Sequence, residues 1–191
     1  MSEKQIEKQY GGRLEVAAFA NGCFWCTEAV FKIVKGVEQV ESGYTGGSKP
    51  NPTYEEVSSG RTGHVEAVQI KFDPAVISFR EILEIFFATH DPTTLNRQGP
   101  DIGTQYNSVI FYENEMQKTV ALALIDELNK EGVWDKPIIT KVVPATTFYR
   151  AEEYHKDYYA RHRDSAYCQQ VITPKILKLQ QRYFSKLKPV V

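Results

Sequence analysis

The sequence predicts a single domain that mixes strands and helices, of the α/β or α+β class. Three observations lead there. Strand-like runs and amphipathic helical runs follow one another along the whole chain. No internal repeat, low-complexity tract or interdomain linker divides the 191 residues, a length that suits one domain. Hydrophobic residues make up 42% of the chain, enough to fill a sizeable core.

Each element has its own signal. Residues 1–13 are polar and charged, and glycines 11 and 12 set them off as a flexible tail from a folded domain over 14–191. Leu14 to Phe19 reads as a buried strand, closed by the turn signal Asn21-Gly22. A helix follows from about Phe24 to Val34, with apolar residues at 30, 31, 33 and 34 and Gly36 beyond its end. A strand near 37–44 gives way to a long Gly-, Ser-, Pro- and Asn-rich loop reaching residue 60. His64 to Phe72 is the clearest strand: Glu66, Val68, Ile70 and Phe72 share one face. Ser78 and Glu81 form a capping-box pattern ahead of a helix whose stripe is Phe79, Ile82, Leu83, Phe86 and Phe87. A second polar loop spans about 91–105, and loops this long inside a compact domain are usually functional. A strand is expected at Tyr106–Tyr112, a helix over 114–130 with Val120, Leu124 and Leu128 in step, and a strand at Ile138–Val143. Residues 144–168 are aromatic and irregular, and Pro174 opens a Lys-rich helix to about Leu187.

Composition narrows the function. The 23 Lys+Arg nearly cancel the 24 Asp+Glu, so bulk charge gives no attraction to nucleic acid or to an anionic membrane. No stretch approaches the roughly 18 apolar residues of a membrane span, and the N-terminus lacks a signal peptide's apolar core. The expected setting is cytoplasmic. No G-x-G-x-x-G, Walker A or G-x-S-x-G pattern occurs, so nucleotide and serine-hydrolase chemistry lack support.

Three cysteines, at 23, 26 and 168, do not make a secreted disulfide framework. Cys23 and Cys26 form C-x-x-C at a helix start, which brings their Cα atoms within about 5–5.5 Å, inside disulfide range. A thiol there faces unpaired N–H groups and the positive end of the helix dipole, so a lowered Cys23 pKa is expected. Cys23 is then the nucleophile and Cys26 the resolving thiol. Zinc binding and inert packing stay open as alternatives. Zinc needs two more ligands from Cys168 and His64, His90, His155 and His162, none of which lies in a second close pair. Glu66, at the edge of an apolar strand face, is expected to hold its proton near neutral pH and so to serve as an acid.

The segments GCFW at 22–25, GYTGG at 43–47, NPTYEEV at 51–57, GRTGH-x-E at 60–66, HDPTT at 90–94, QGPDIGTQY at 98–106 and AEEYHKDY at 151–158 point one way together. In this order they resemble the type A peptide methionine sulfoxide reductases, over roughly residues 14–172. The resemblance implies a two-layer α/β plait: a mixed sheet packed with helices, with a ferredoxin-like core and long active-site loops. It implies reduction of methionine-S-sulfoxide, free or in oxidised proteins, without a cofactor or metal. Cys23 is then the nucleophile and becomes a sulfenic acid. Glu66 protonates the sulfoxide oxygen, Tyr54 and Tyr106 hydrogen-bond to it, and Asp101 completes the polar rim through water. Phe24 and Trp25 wall the pocket for the methyl group on sulfur. Thioredoxin regenerates the enzyme, and a monomer is expected.

Two departures bear on recycling. Many relatives have glycine where this chain has Cys26, and some carry a cysteine where it has Ser58. Here Cys26 is the nearer resolver, while Cys168, in AYCQQ, either resolves directly, relays the disulfide outward or stands by. Glu152 and His155 are read as support beneath the tyrosines. Besides the reductase, a general C-x-x-C disulfide oxidoreductase and a zinc-stabilised binding protein remain as alternative functions.

Overall fold

A computed structural model describes residues 14–189. The expected tail at 1–13 lies outside the described residues. Among the described residues there are eight strands: β1 (Glu15–Asn21), β2 (Val37–Thr45), β3 (Val65–Phe72), β4 (Arg97–Gln98), β5 (Asp101–Ile102), β6 (Ser108–Tyr112), β7 (Lys141–Pro144) and β8 (Tyr149–Arg150). Six of them form one mixed sheet in the order β7-β6-β1-β3-β2-β8, antiparallel except for the parallel pair β6–β7. The helices are α1 (Phe24–Lys32), α2 (Tyr54–Ser58), α3 (Phe79–Ala88), α4 (Glu115–Lys130), α5 (Tyr158–Arg161) and α6 (Thr173–Tyr183).

Strand alternation sorts the core. Ala17 and Phe19 of β1, with Val68, Ile70 and Phe72 of β3, face the helices. Ala18, Ala20, Val65, Ala67, Val109 and Phe111 point to the opposite face, where Val143, Ala145 and Phe148 cover them. Both faces are therefore dry where β1 ends and β3 begins. Phe19 anchors the helical side, with ring centroids 5.5 Å from Phe31, 6.1 Å from Phe79 and 5.4 Å from Phe86. Phe19→Ala is expected to cost about 3–5 kcal/mol, because the cavity opens between three rings from two helices that cannot close together. Urea unfolding of the variant measures it.

Local chemistry sets the helix starts as expected. Ser78 and Glu81 make the full capping box of α3. A second box, Thr53 with Glu56, starts the short α2 inside the first long loop.

Some boundaries differ from expectation. Tyr106 belongs to a 3-10 turn, Thr104–Tyr106, and β6 starts at Ser108. The strand expected from Ile138 begins at Lys141, because the backbone ladder to β6 starts at the Lys141–Val109 pair; Thr140 before it meets β6 only through its hydroxyl, hydrogen-bonded to Ser108. The irregular segment contributes β8, which pairs with the end of β2. The C-terminal helix is entered through a π-helical turn, Cys168–Ile172, with Pro174 in the first turn of α6.

Candidate active site

The site forms at the end of β1. Gly22 has φ +99°, and a Cβ there would lie 2.5 Å from the Gln98 side chain, so only glycine fits this turn. Gln98 is itself fixed, since its side chain accepts from Asp91 N–H (3.1 Å) and donates to Asp91 C=O (2.8 Å). The turn delivers Cys23 as the N-cap of α1, with extended backbone angles and no capping bond from its side chain. Its carbonyl accepts from Cys26 N–H at 3.1 Å.

Cys23, Cys26 and Cys168 are free and buried. Cys23 is only 7% exposed, and burial pushes its thiol well up; its hydrogen bond to Cys26 and the nearby charges of Cys26 and Glu66 push the same way. The expected lowering at the helix start is therefore reversed in this reduced form, because loss of water outweighs the helix end. Cys26 is brought down to about 7, first by the hydrogen bond from Cys23. Cys26 is thus the more acidic thiol of the coupled pair, and Cys23 the more firmly protonated one.

Glu66, 2% exposed, stands across from the thiols on β3. Burial raises it to about 8, against the opposing pull of the Phe24 N–H, which donates to Glu66 Oε2 at 3.0 Å. The carboxyl is neutral at pH 7, as the strand pattern suggested. Its charge, when present, is felt at Tyr54, Tyr106 and Cys23. Burial raises both phenols, and it raises the Asp101 carboxyl too. The fold therefore gathers Cys23, Cys26, Glu66, Tyr54, Tyr106 and Asp101 from five separate segments.

An aromatic wall backs this group. Phe24 is buried against Tyr44 (5.8 Å) and His155 (4.9 Å), while half-buried Trp25 lies parallel to Tyr158 at 3.5 Å. The Trp25 indole N–H donates to His155 Nδ1 at 3.0 Å. Glu152 accepts from Tyr54 N–H (2.9 Å) and Tyr44 O–H (2.8 Å). Glu152 and His155 thus hold the wall and the start of α2 from behind.

Sequence reasoning missed Tyr167. Its hydroxyl donates to Asp101 Oδ2 at 2.8 Å and lies 3.9 Å from Cys26 Sγ, with its ring edge-on to Trp25. The only signal was its position next to Cys168. Cys168 is fully buried in the same core, with its N–H donating to Ser165 Oγ. Among the described residues no hydrogen bond joins it to the other two thiols. A cleft of about 1100 Å³ by the C-terminal part of α1, lined by Ala29, Ile33, Ile176 and Leu177, contains none of the predicted site residues. Among the described residues no group of three or more His, Cys, Asp or Glu is placed to hold a metal ion.

A thiol pair facing a protonated carboxyl and two phenols on a mixed sheet defines a thiol-based oxidoreductase. The family model described as peptide methionine sulfoxide reductase matches residues 15–188, and the chain belongs to that family. It is 53% identical to the peptide methionine sulfoxide reductase MsrA of Deinococcus radiodurans, over 94% of this chain and 87% of that one. It is 54% identical to the MsrA of Thermus thermophilus, over 92% and 98% respectively. Among solved structures it is similar to reduced Mxr1 from Saccharomyces cerevisiae, with TM-score 0.74 and 32% identity, covering 82% of this chain and 90% of Mxr1.

Proposed function

We propose that this chain reduces methionine-S-sulfoxide to methionine through a sulfenic acid on Cys23. The observation that carries this is a carboxylic acid kept neutral at pH 7 beside a buried thiol pair. Neutral Glu66 protonates the sulfoxide oxygen while Tyr54 and Tyr106 orient it, which makes the sulfur electrophilic. Cys23 attacks and its proton passes to Cys26. Methionine leaves, and the oxygen stays on Cys23 as sulfenic acid. Phe24 and Trp25 supply polarisable contacts for the methyl group. Cys26 then condenses with the sulfenic acid, giving a disulfide and water. Cys168 stands as a second thiol that can take the disulfide onward by exchange.

The disulfide needs an external dithiol, and thioredoxin is the proposed one. Mxr1 from Saccharomyces cerevisiae has been solved in complex with Trx2. Oxidised proteins and free methionine sulfoxide are both proposed substrates, for a monomer in the cytoplasm. No helix among the described residues is long and apolar enough to cross a membrane.

With dithiothreitol as reductant, the S-sulfoxide of a blocked methionine is expected to turn over and the R epimer to stay intact, as chiral chromatography resolves. Equal turnover of both epimers, or turnover of a simple disulfide in preference to either, overturns the proposal.

A further inference from the structure

We propose that Tyr167 carries the proton of the resolving thiol Cys26 to Asp101 as the disulfide forms. The inference rests on the functional reading above, in which Cys26 resolves the Cys23 sulfenic acid. In that reading Cys26 receives a proton during the first half of the reaction and must lose it in the second. It is buried, so bulk water gives no direct route.

The hydroxyl of Tyr167 supplies one. It has a single proton, which it donates to Asp101 Oδ2 at 2.8 Å. On its other side the Cys26 sulfur stands 3.9 Å away, within reach of an S–H donating to the phenol oxygen. Donor, relay and acceptor thus follow one another from three elements: Cys26 from α1, Tyr167 from the segment before the π-turn, Asp101 from β5. The Trp25 ring holds the relay edge-on at 5.8 Å.

The step balances without an outside reactant. A sulfur lone pair of Cys26 forms the bond to Cys23 sulfur, and the Cys23 S–O bond breaks with its electrons on oxygen. The Cys26 proton moves to the Tyr167 oxygen as the Tyr167 proton moves to Asp101. Asp101 returns a proton to the departing hydroxide, which leaves as water. Sulfenic acid plus thiol becomes disulfide plus water, and Tyr167 and Asp101 end as they began.

The surrounding charges fit. Burial, with the neighbouring Cys23, Cys26 and Asp101 charges, holds the phenol far above its usual range, so it passes a proton only as it receives one. Burial raises Asp101 and makes it a better acceptor, while Lys175 on α6 acts in the opposite sense on Asp101 and favours Cys26 thiolate. Glu66 lies on the Cys23 side and is spent in the first half-reaction.

Tyr167→Phe in the full chain keeps the ring and removes the relay. In single turnover without reductant, methionine release and sulfenic acid decay (followed by dimedone trapping) are timed separately at pH 7. The variant is expected to slow sulfenic acid decay about tenfold more than methionine release, with the gap closing by pH 9, where Cys26 ionises unaided. In mixtures of light and heavy water, the parent's decay rate is expected to bend as two protons move, and the variant's to be linear. Equal slowing of both steps, or no slowing of decay, overturns the relay while leaving the reductase reading intact. Absence of methionine and sulfenic acid in the parent overturns the reading beneath it.

Discussion

Cys23→Ser is expected to leave a folded chain that forms no methionine from S-sulfoxide above background. The change is nearly isosteric, and Cys23 supplies no side-chain cap to α1, so helix and turn have little to lose. The chemistry has everything to lose. A serine hydroxyl in a buried site stays protonated, and its oxygen cannot form a sulfenic acid or a disulfide. Quenched-flow mixing with one equivalent of sulfoxide and no reductant makes the comparison clean. The parent converts that one equivalent to about one methionine per chain, because sulfenic acid formation alone consumes one sulfoxide. Cys26→Ser is the useful contrast. It keeps the nucleophile but loses the nearer resolver and the acceptor of the Cys23 proton, so methionine still forms, more slowly, while sulfenic acid accumulates. Methionine from the Cys23→Ser chain at the parent's rate would move the nucleophile to another thiol.

Much of this site can be read from residue order. The strand alternation at 66, 68, 70 and 72 put Glu66 on an apolar face, and burial at 2% with a pKa of about 8 follows from that placement. Asn21-Gly22 announced the turn that presents Cys23, and the Ser78–Glu81 pair announced α3. Periodicity reports only neighbours along one element, and three features lay beyond it. The first is the sign of the Cys23 shift. The helix start is written in the sequence, but what outweighs it is burial in the folded core, with the charge of Glu66 from β3 acting in the same sense. The second is Tyr167, an aromatic in an irregular segment whose role depends on meeting Asp101, 66 residues away. The third is the small hairpin β4–β5, two residues a side, too short for any alternation to show. The family resemblance supplied Tyr54, Tyr106 and Asp101, which no local pattern marks. The fold gives that grouping a physical sense, because Tyr54 and Tyr106 both feel the charges of Glu66, Cys23 and Asp101 within one dry corner.

Glu66→Gln is expected to lower the rate of methionine formation by about 10²–10⁴-fold, the usual worth of a positioned general acid, with KM little changed. The amide keeps the shape and can still accept from the Phe24 N–H and hydrogen-bond a sulfoxide oxygen. It has no proton to give. Binding and catalysis therefore separate at this position, and a matched rise in KM would instead mark Glu66 as a binding group. The pH profile carries the sharper test. Activity requires one proton to be absent from the thiol pair, whose lower step sits near 7, and one to be present on Glu66, which sits near 8. Rate should climb as pH rises through about 7 and fall as it passes about 8, a narrow bell whose limbs belong to the coupled site as a whole. In the Gln variant the alkaline limb has no group left to titrate, while the thiols still must ionise. The residual rate should therefore rise through 7 and then stay level up to pH 9. Survival of the fall near 8 in the variant would assign that limb to another group and remove Glu66 as the acid. Loss of the limb together with the large rate decrease ties both to one proton on one carboxyl, held there because β3 buries it beside the thiols it serves.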